Sequence, residues 1–239
     1  MRSRGTSFCS QWAGKSRSST YVVIINIDIL GMLSMPASCA QPAAPAPYHH
    51  GDLRMELLRV CREQLRSGGL NAISLRKAAQ GIGVSHASPA RHFADKRALL
   101  TALAAQGFAE AAEALHSTHP DCRDDLQATC ERYVAFGLRE PDLYALMAQP
   151  KLIDLSDPAL AEPRSACFRA LMAAVAGSLD GAGDDLEGRT VALWSFLHGF
   201  VMLMVSGVFG QDHAGTAASS YLAALLPHVR SGLCRTPSP

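Results

Sequence analysis

The side chains best suited to chemistry in this chain lie between Ser74 and Phe93. Ser74 can cap a helix, because its hydroxyl can accept from the free amides of a first turn. Leu75, Ala78 and Ala79 then recur at helical spacing and give one apolar face. Gly81 suits the left-handed residue that ends such a helix, and Gly83 keeps the following turn tight. Ser85 can cap a second helix, with Pro89 in or just beyond its first turn. Phe93 closes the unit as a core anchor, and Asp95 can cap the next helix. A helix, a turn and a second helix with a polar, basic start is an arrangement that enters the major groove of DNA. His86, Ala87 and Ser88 are short enough there to touch base edges or a thymine methyl group. Arg91, Lys96 and Arg97 are placed to reach phosphates, which position a protein without reading sequence. The expected DNA-contact set is Ser74, Arg76, Ser85, His86, Ala87, Ser88, Arg91, His92 and Lys96.

These residues must be held by the elements on either side. Upstream, Tyr48-His49-His50-Gly51-Asp52-Leu53-Arg54 precedes Leu57, Leu58, Cys61 and Leu65 at helical spacing. Ser67-Gly68-Gly69 ends that helix, and Leu70 to Ile73 link it to the helix pair. With Arg91-His92-Phe93 and Asp95-Lys96, this run over residues 48–116 resembles the TetR family of transcriptional regulators. The resemblance implies three N-terminal helices that bind DNA and a fourth that connects them to an all-helical regulatory domain. One position departs from the pattern. Where such proteins usually carry an aromatic residue, most often tyrosine, two places before the histidine, this chain has Ala90. One phosphate contact is therefore missing, and weaker or more salt-sensitive operator binding is expected.

Charge divides in the same way. The chain's formal balance is +1, but residues 48–97 hold nine Lys or Arg against four Asp or Glu. From Asp121 onwards nine basic residues face fourteen acidic ones. A basic module on an acidic body fits DNA contact at one end only. Seven cysteines, odd in number and without a Cys-x-x-Cys pair, suit a reduced cytoplasmic protein with buried thiols. His116, His119, Cys122 and Cys130 match no strong zinc spacing. No metal and no cofactor are expected.

Residues 1–47 read as an extension or as sequence before the true start. The apolar run Tyr21 to Leu30 is too short to span a bilayer and is interrupted by Asn26 and Asp28; no membrane association is expected. The DNA-binding domain is placed at 48–95, the regulatory and dimerisation domain at 96–230, and a frayed tail at 231–239. Beyond a long helix over Lys96–Ser117, further helices are expected at about 122–138, 141–149, 158–178, 184–206 and 215–230, with breaks at Pro and Gly. The fold class is all-α: a three-helix, helix-turn-helix head followed by a helical bundle.

The 184–206 helix is apolar over so much of its circumference that it must be covered on more than one side. The resemblance implies that the last two helices form a four-helix dimer interface, with inner faces lining a ligand cavity. The dimer candidates are Leu193, Leu197, Val201, Met204, Tyr221, Leu222 and Leu225. Trp194-x-x-x-His198-Gly199 resembles an element of one subgroup's C-terminal domain. Trp194 and His198 are neighbours on one face, which makes Trp194, His198 and Met202 the ligand candidates; the alternative is a hydrogen-bonded core histidine beside a packed tryptophan. The expected function is a homodimeric regulator, a repressor that leaves its double-stranded DNA operator when a small apolar effector binds. A constitutive DNA-binding protein without an effector is the alternative. A helical enzyme is a remote third, because no nucleophile elbow, phosphate-cradling glycine loop or acid/base pair is present.

Overall fold

The computed structural model describes residues 50–85, 87–116, 126–178, 185–208 and 216–234, and every regular element among them is helical. In chain order these are α1 His50–Gly68, α2 Leu75–Gly81, a 3-10 turn Pro89–Arg91, and α3 Lys96–Leu115. There follow α4 Leu126–Arg139, α5 Pro141–Met147, α6 Pro158–Ser178, α7 Leu186–Val205 and α8 Thr216–Cys234. The all-α expectation holds. Pro141 and Pro158 are the first residues of α5 and α6, where a missing amide has no intrahelical partner to lose. The expected breaks at Gly181, Gly183 and Gly215 lie outside the described residues. The last helix continues through Pro227 to Cys234, so residues 231–234 are helical where a tail was expected.

Two apolar cores organise these helices. The first, under the N-terminal unit, joins Leu57, Leu58, Cys61 and Leu65 of α1 to Ala78, Phe93 and the start of α3. It also takes in Leu143 and Leu146 of α5, Ile153, and Leu160 of α6. The second core gathers Ala111 and Leu115 of α3, Tyr133 and Phe136 of α4, Tyr144 of α5, Leu171 and Val175 of α6, and the buried stripe of α7. Helices α3, α5 and α6 therefore contribute to both. The sequence boundary at 95–96 marks the start of a helix and not a gap between cores.

Helix α7 has a mean hydropathy of 1.4, and by length and composition it could cross a bilayer. Here it packs against α4, α6 and α8. Leu193, Leu197 and Val201 are completely buried, Met204 is nearly so, and Leu222 of α8 is buried beside them. These five of the seven dimer candidates thus sit inside the subunit, which corrects the sequence reading. The cause is the breadth of the apolar surface on α7: spacing alone does not say which stripe faces inward. The exposed apolar side chains at this end are Leu203, Val205 and Val208, with Tyr221 and Leu225 of α8.

The approach of α7 to α4 is set by Gly137. A Cβ placed there would lie 2.6 Å from Val201 Cγ1 and 3.3 Å from Tyr144 Cδ2. Gly137→Ala is expected to lower stability by ~1–3 kcal/mol through overpacking. Denaturant unfolding of that variant and of Gly137→Ala/Val201→Ala checks it: the double variant should recover part of the loss, and an unperturbed single variant would contradict the close approach.

Candidate nucleic-acid interface and regulatory core

Helix α2 is fixed at its start by the residue expected to cap it. Ser74 Oγ accepts from the Lys77 amide at 3.3 Å, and the Ser74 amide donates to Gln64 Oε1 of α1 at 2.8 Å. At the other end Val84 N–H donates to Ala79 O at 3.0 Å and Gly83 N–H to Gln80 O at 3.2 Å, which satisfies carbonyls that a helix end would otherwise leave free. The left-handed residue is Gly83, at φ +72°. Gly81 is the last helical residue, so the position assigned to it from sequence belongs two residues later.

The second helix of the pair is shorter than its sequence suggested. Ser88 N–H donates to Ser85 O, Arg91 N–H to Ser88 O and His92 N–H to Pro89 O, all three-residue steps that make a 3-10 turn. Pro89 explains this, since it has no amide to give the Ser85 carbonyl. Its ring is buried, and Phe93 N–H returns to Pro89 O at 2.9 Å before the Phe93 ring enters the core. Ser85 Oγ and Ser88 Oγ lie 2.8 Å apart. Asp95 caps α3 as expected, accepting from Ala98 N–H at 2.8 Å.

Of the DNA-contact candidates, Arg76, Ser85, Ala87, Arg91 and Lys96 are exposed, as is Ala90, while Ser74, Ser88 and His92 are half-buried. His86 lies outside the described residues. The charges of this unit sort into two groups. Arg59 is held by Glu56 and Glu63 on its own helix, Arg62 and Arg66 turn to the body, and Arg97 lies by Asp154. Arg54, Arg76, Lys77, Arg91 and Lys96 have no carboxylate partner among the described residues. Arg54 stacks over the Phe93 ring at 5.3 Å, and Lys96 Nζ donates to Leu70 O at 3.2 Å. The free positive charge thus belongs to α2, the 3-10 turn and their borders.

Arg62 and Arg66 form a clamp. The Arg62 guanidinium meets Glu110 of α3 and lies 3.3 Å from Glu140 Oε1. Arg66 makes a two-pronged bond to Glu140, 3.0 Å from Nε and 2.5 Å from Nη2. Glu140 sits between α4 and α5 with its side chain 9% exposed. Burial works to raise its carboxyl, but Arg66 and Arg62 outweigh that and hold it below the usual carboxylate range. Sequence reasoning missed this residue, because its partners lie more than seventy residues away on α1.

The ligand candidates on α7 turn out to belong to a buried relay that spans three helices. Trp194 Nε1–H donates to Tyr133 Oη of α4 at 2.9 Å. Tyr133 Oη lies 3.0 Å from Tyr144 Oη of α5, which lies 2.8 Å from His198 Nδ1. The Tyr144 ring also stacks on the imidazole at 5.2 Å, and Phe168 of α6 meets Trp194 edge-on. Burial raises both phenols and lowers His198, which keeps the imidazole neutral. Burial also pushes the nearby Cys167 thiol up to about 12, so it is an inert thiol. Met202 is half-buried one turn beyond His198. The two tyrosines were invisible to sequence reasoning, because a tyrosine in a helix reads as ordinary core. His116 Nδ1 lies against Ala112 O at 2.6 Å, while His119 and Cys122 lie outside the described residues.

The tetracyclin repressor-like, C-terminal domain model matches residues 126–226. Among curated proteins no match is found. A solved protein of unknown function from Rhodococcus sp. RHA1 is 30% identical, covering 80% of this chain and 100% of that one, with a TM-score of 0.64. A possible TetR family transcriptional regulator from Streptomyces coelicolor A3(2) shares the fold at 20% identity, over 74% and 88% of the two chains, TM-score 0.50. A TetR variant from Acinetobacter baumannii AYE, in complex with minocycline, shares it at 18% identity, over 80% and 100%, TM-score 0.52. Residues 126–226 thus match a tetracyclin repressor-like C-terminal domain, and the chain shares the all-helical fold of these TetR proteins.

Proposed function

We propose that this chain is a homodimeric transcriptional repressor that binds a double-stranded DNA operator and leaves it when a small apolar effector enters the C-terminal core. The observation that carries the reading is the segregation of charge. Unpartnered cations gather at α2 and the 3-10 turn, beside the exposed short side chains Ser85 and Ala87. The apolar ends of α7 and α8, with Leu203, Val205, Val208, Tyr221 and Leu225 exposed, supply the surface on which two copies meet. Dimerisation sets two heads on successive major grooves, ~34 Å apart or somewhat more.

Effector response needs a physical connection, and α5 supplies it. Its Leu143 and Leu146 pack in the head core while Tyr144 packs in the body core. Glu140, just before it, grips α1 through Arg62 and Arg66. A ligand that moves Tyr144 and His198 together shifts the same short helix that sets the head. Such coupling is typically ~1–3 kcal/mol between ligand and DNA. The neighbour bound to minocycline is a precedent for small-molecule capture on this fold.

A mobility-shift assay with the DNA upstream of the gene, at several salt concentrations, tests the proposal; failure to bind at low salt overturns it. Arg91→Ala is expected to weaken binding roughly tenfold, uniformly across sequences, and to reduce the salt slope by about 1. Ala90→Tyr should strengthen binding by about 3–10-fold through one added hydrogen bond to phosphate; no gain removes the case for a missing contact. Affinity that no small molecule changes favours the constitutive reading.

A further inference from the structure

The relay from Trp194 to His198 has one more donor than it has acceptors. Indole N–H only donates, each phenol can donate and accept, and a neutral imidazole has one donor and one acceptor nitrogen. Four groups thus bring four donors and three acceptors. The indole fixes the direction. Tyr133 Oη receives the Trp194 proton, so its own proton goes to Tyr144 Oη, and the Tyr144 proton goes to His198 Nδ1. With the order reversed, the Tyr133 proton would be stranded in a buried site, at a cost of about 1–3 kcal/mol. His198 is therefore the Nε2–H tautomer, and the surplus donor appears at Nε2. That atom has no partner among the described residues, and the ring is only partly buried.

We infer that His198 Nε2–H recognises an acceptor oxygen, carbonyl or ether, on an otherwise apolar and uncharged effector. This rests on the effector-responsive reading above and names what that site would take. The surroundings select against charge. Tyr133, Tyr144, Cys167, Phe168 and Trp194 bring no carboxylate to hold a cation. A neutral donor does not offset the desolvation of a carboxylate either. Trp194 has already given its N–H to Tyr133 and offers only its ring face. Met202, four residues after His198, lies on the same side of the helix and adds an adaptable apolar surface. His198 is thus structural at one nitrogen and a recognition group at the other.

Long-range nitrogen-15 NMR of the full chain tests the first half without DNA or ligand. The His198 signal should report Nε2–H, and Tyr144→Phe should mix the tautomers, since it removes the donor to Nδ1. Titration of 2-undecanone and of undecylamine, followed by Trp194 fluorescence in a Trp12→Phe background, tests the second half. The ketone should bind about tenfold more tightly than the ammonium, a difference worth ~1.4 kcal/mol. His198→Phe should abolish that preference, and His198→Gln, which keeps a donor, should retain part of it. A wild-type Nδ1–H tautomer overturns the proposal, as does an absent ketone preference, including no binding of either probe. So does a preference that survives in His198→Phe. Ketone preference in a protein that binds no DNA would leave this inference standing and reject the regulator reading.

Discussion

Leu193→Ala is expected to lower the unfolding free energy by ~2–5 kcal/mol, the cost of deleting a fully enclosed leucine and leaving a cavity. Leu193 has no exposed surface and is packed within the second core. The same helix faces outward at Leu203 and Val205, which gives the prediction its contrast. Leu203→Ser should leave monomer unfolding within about 0.5 kcal/mol of wild type, as for ordinary surface positions, and should weaken self-association. Chemical unfolding with sedimentation at several concentrations separates the two. A Leu193→Ala chain that dissociates yet unfolds normally would return that residue to the interface.

Glu140→Ala has the second large effect. Removing one carboxylate takes a partner from each of two guanidiniums. Arg62 is 15% exposed and keeps only Glu110, whereas Arg66 is 52% exposed and can return to water. Breaking a fully buried pair costs about 3–5 kcal/mol; with one partner half in solvent, about 2–3 kcal/mol is expected here. The clamp should also show in acid. The folded-state value of Glu140 lies below its ordinary one, so the native state binds this proton less readily than the unfolded chain does. Its stabilisation is complete above the ordinary carboxylate range and is lost as pH falls through the depressed value. Glu140→Gln should flatten that part of the stability–pH curve. An equal acid loss in wild type and variant would assign it to other carboxylates.

Local spacing and punctuation made most helices legible. The 158–178 segment begins at a proline and carries an apolar stripe through Leu160, Phe168, Leu171 and Val175, and α6 has those bounds. Ser74 and Asp95 were readable as caps because a cap is a contact across three residues. Pro89 was read as tolerable near a helix start; its missing amide instead left a 3-10 turn. The inward face of α7 was not legible, since nearly every stripe on it is apolar. Nor was the partnership of Arg62 and Arg66 with Glu140, or the reach of Trp194 to Tyr133. Those pairs are separated by dozens of residues, and nothing in their local sequence marks the partner. The adjacency of Trp194 and His198 was visible, but the use of each ring nitrogen depended on helices elsewhere in the chain.

The shared first core bears on whether the N-terminal unit is a separable part. A chain cut after Asp95 would lose Leu99 and Leu103, and with them Leu143, Leu146, Ile153 and Leu160, all of which share the first core with the buried leucines of α1. It would also strand Arg62 and Arg66 without Glu110 and Glu140. The N-terminal unit is thus not a cassette to be transplanted onto another body. A chimera that keeps the N-terminal unit folded must carry α5 and the start of α6 along with it, and changes at those positions are inherited by both halves at once.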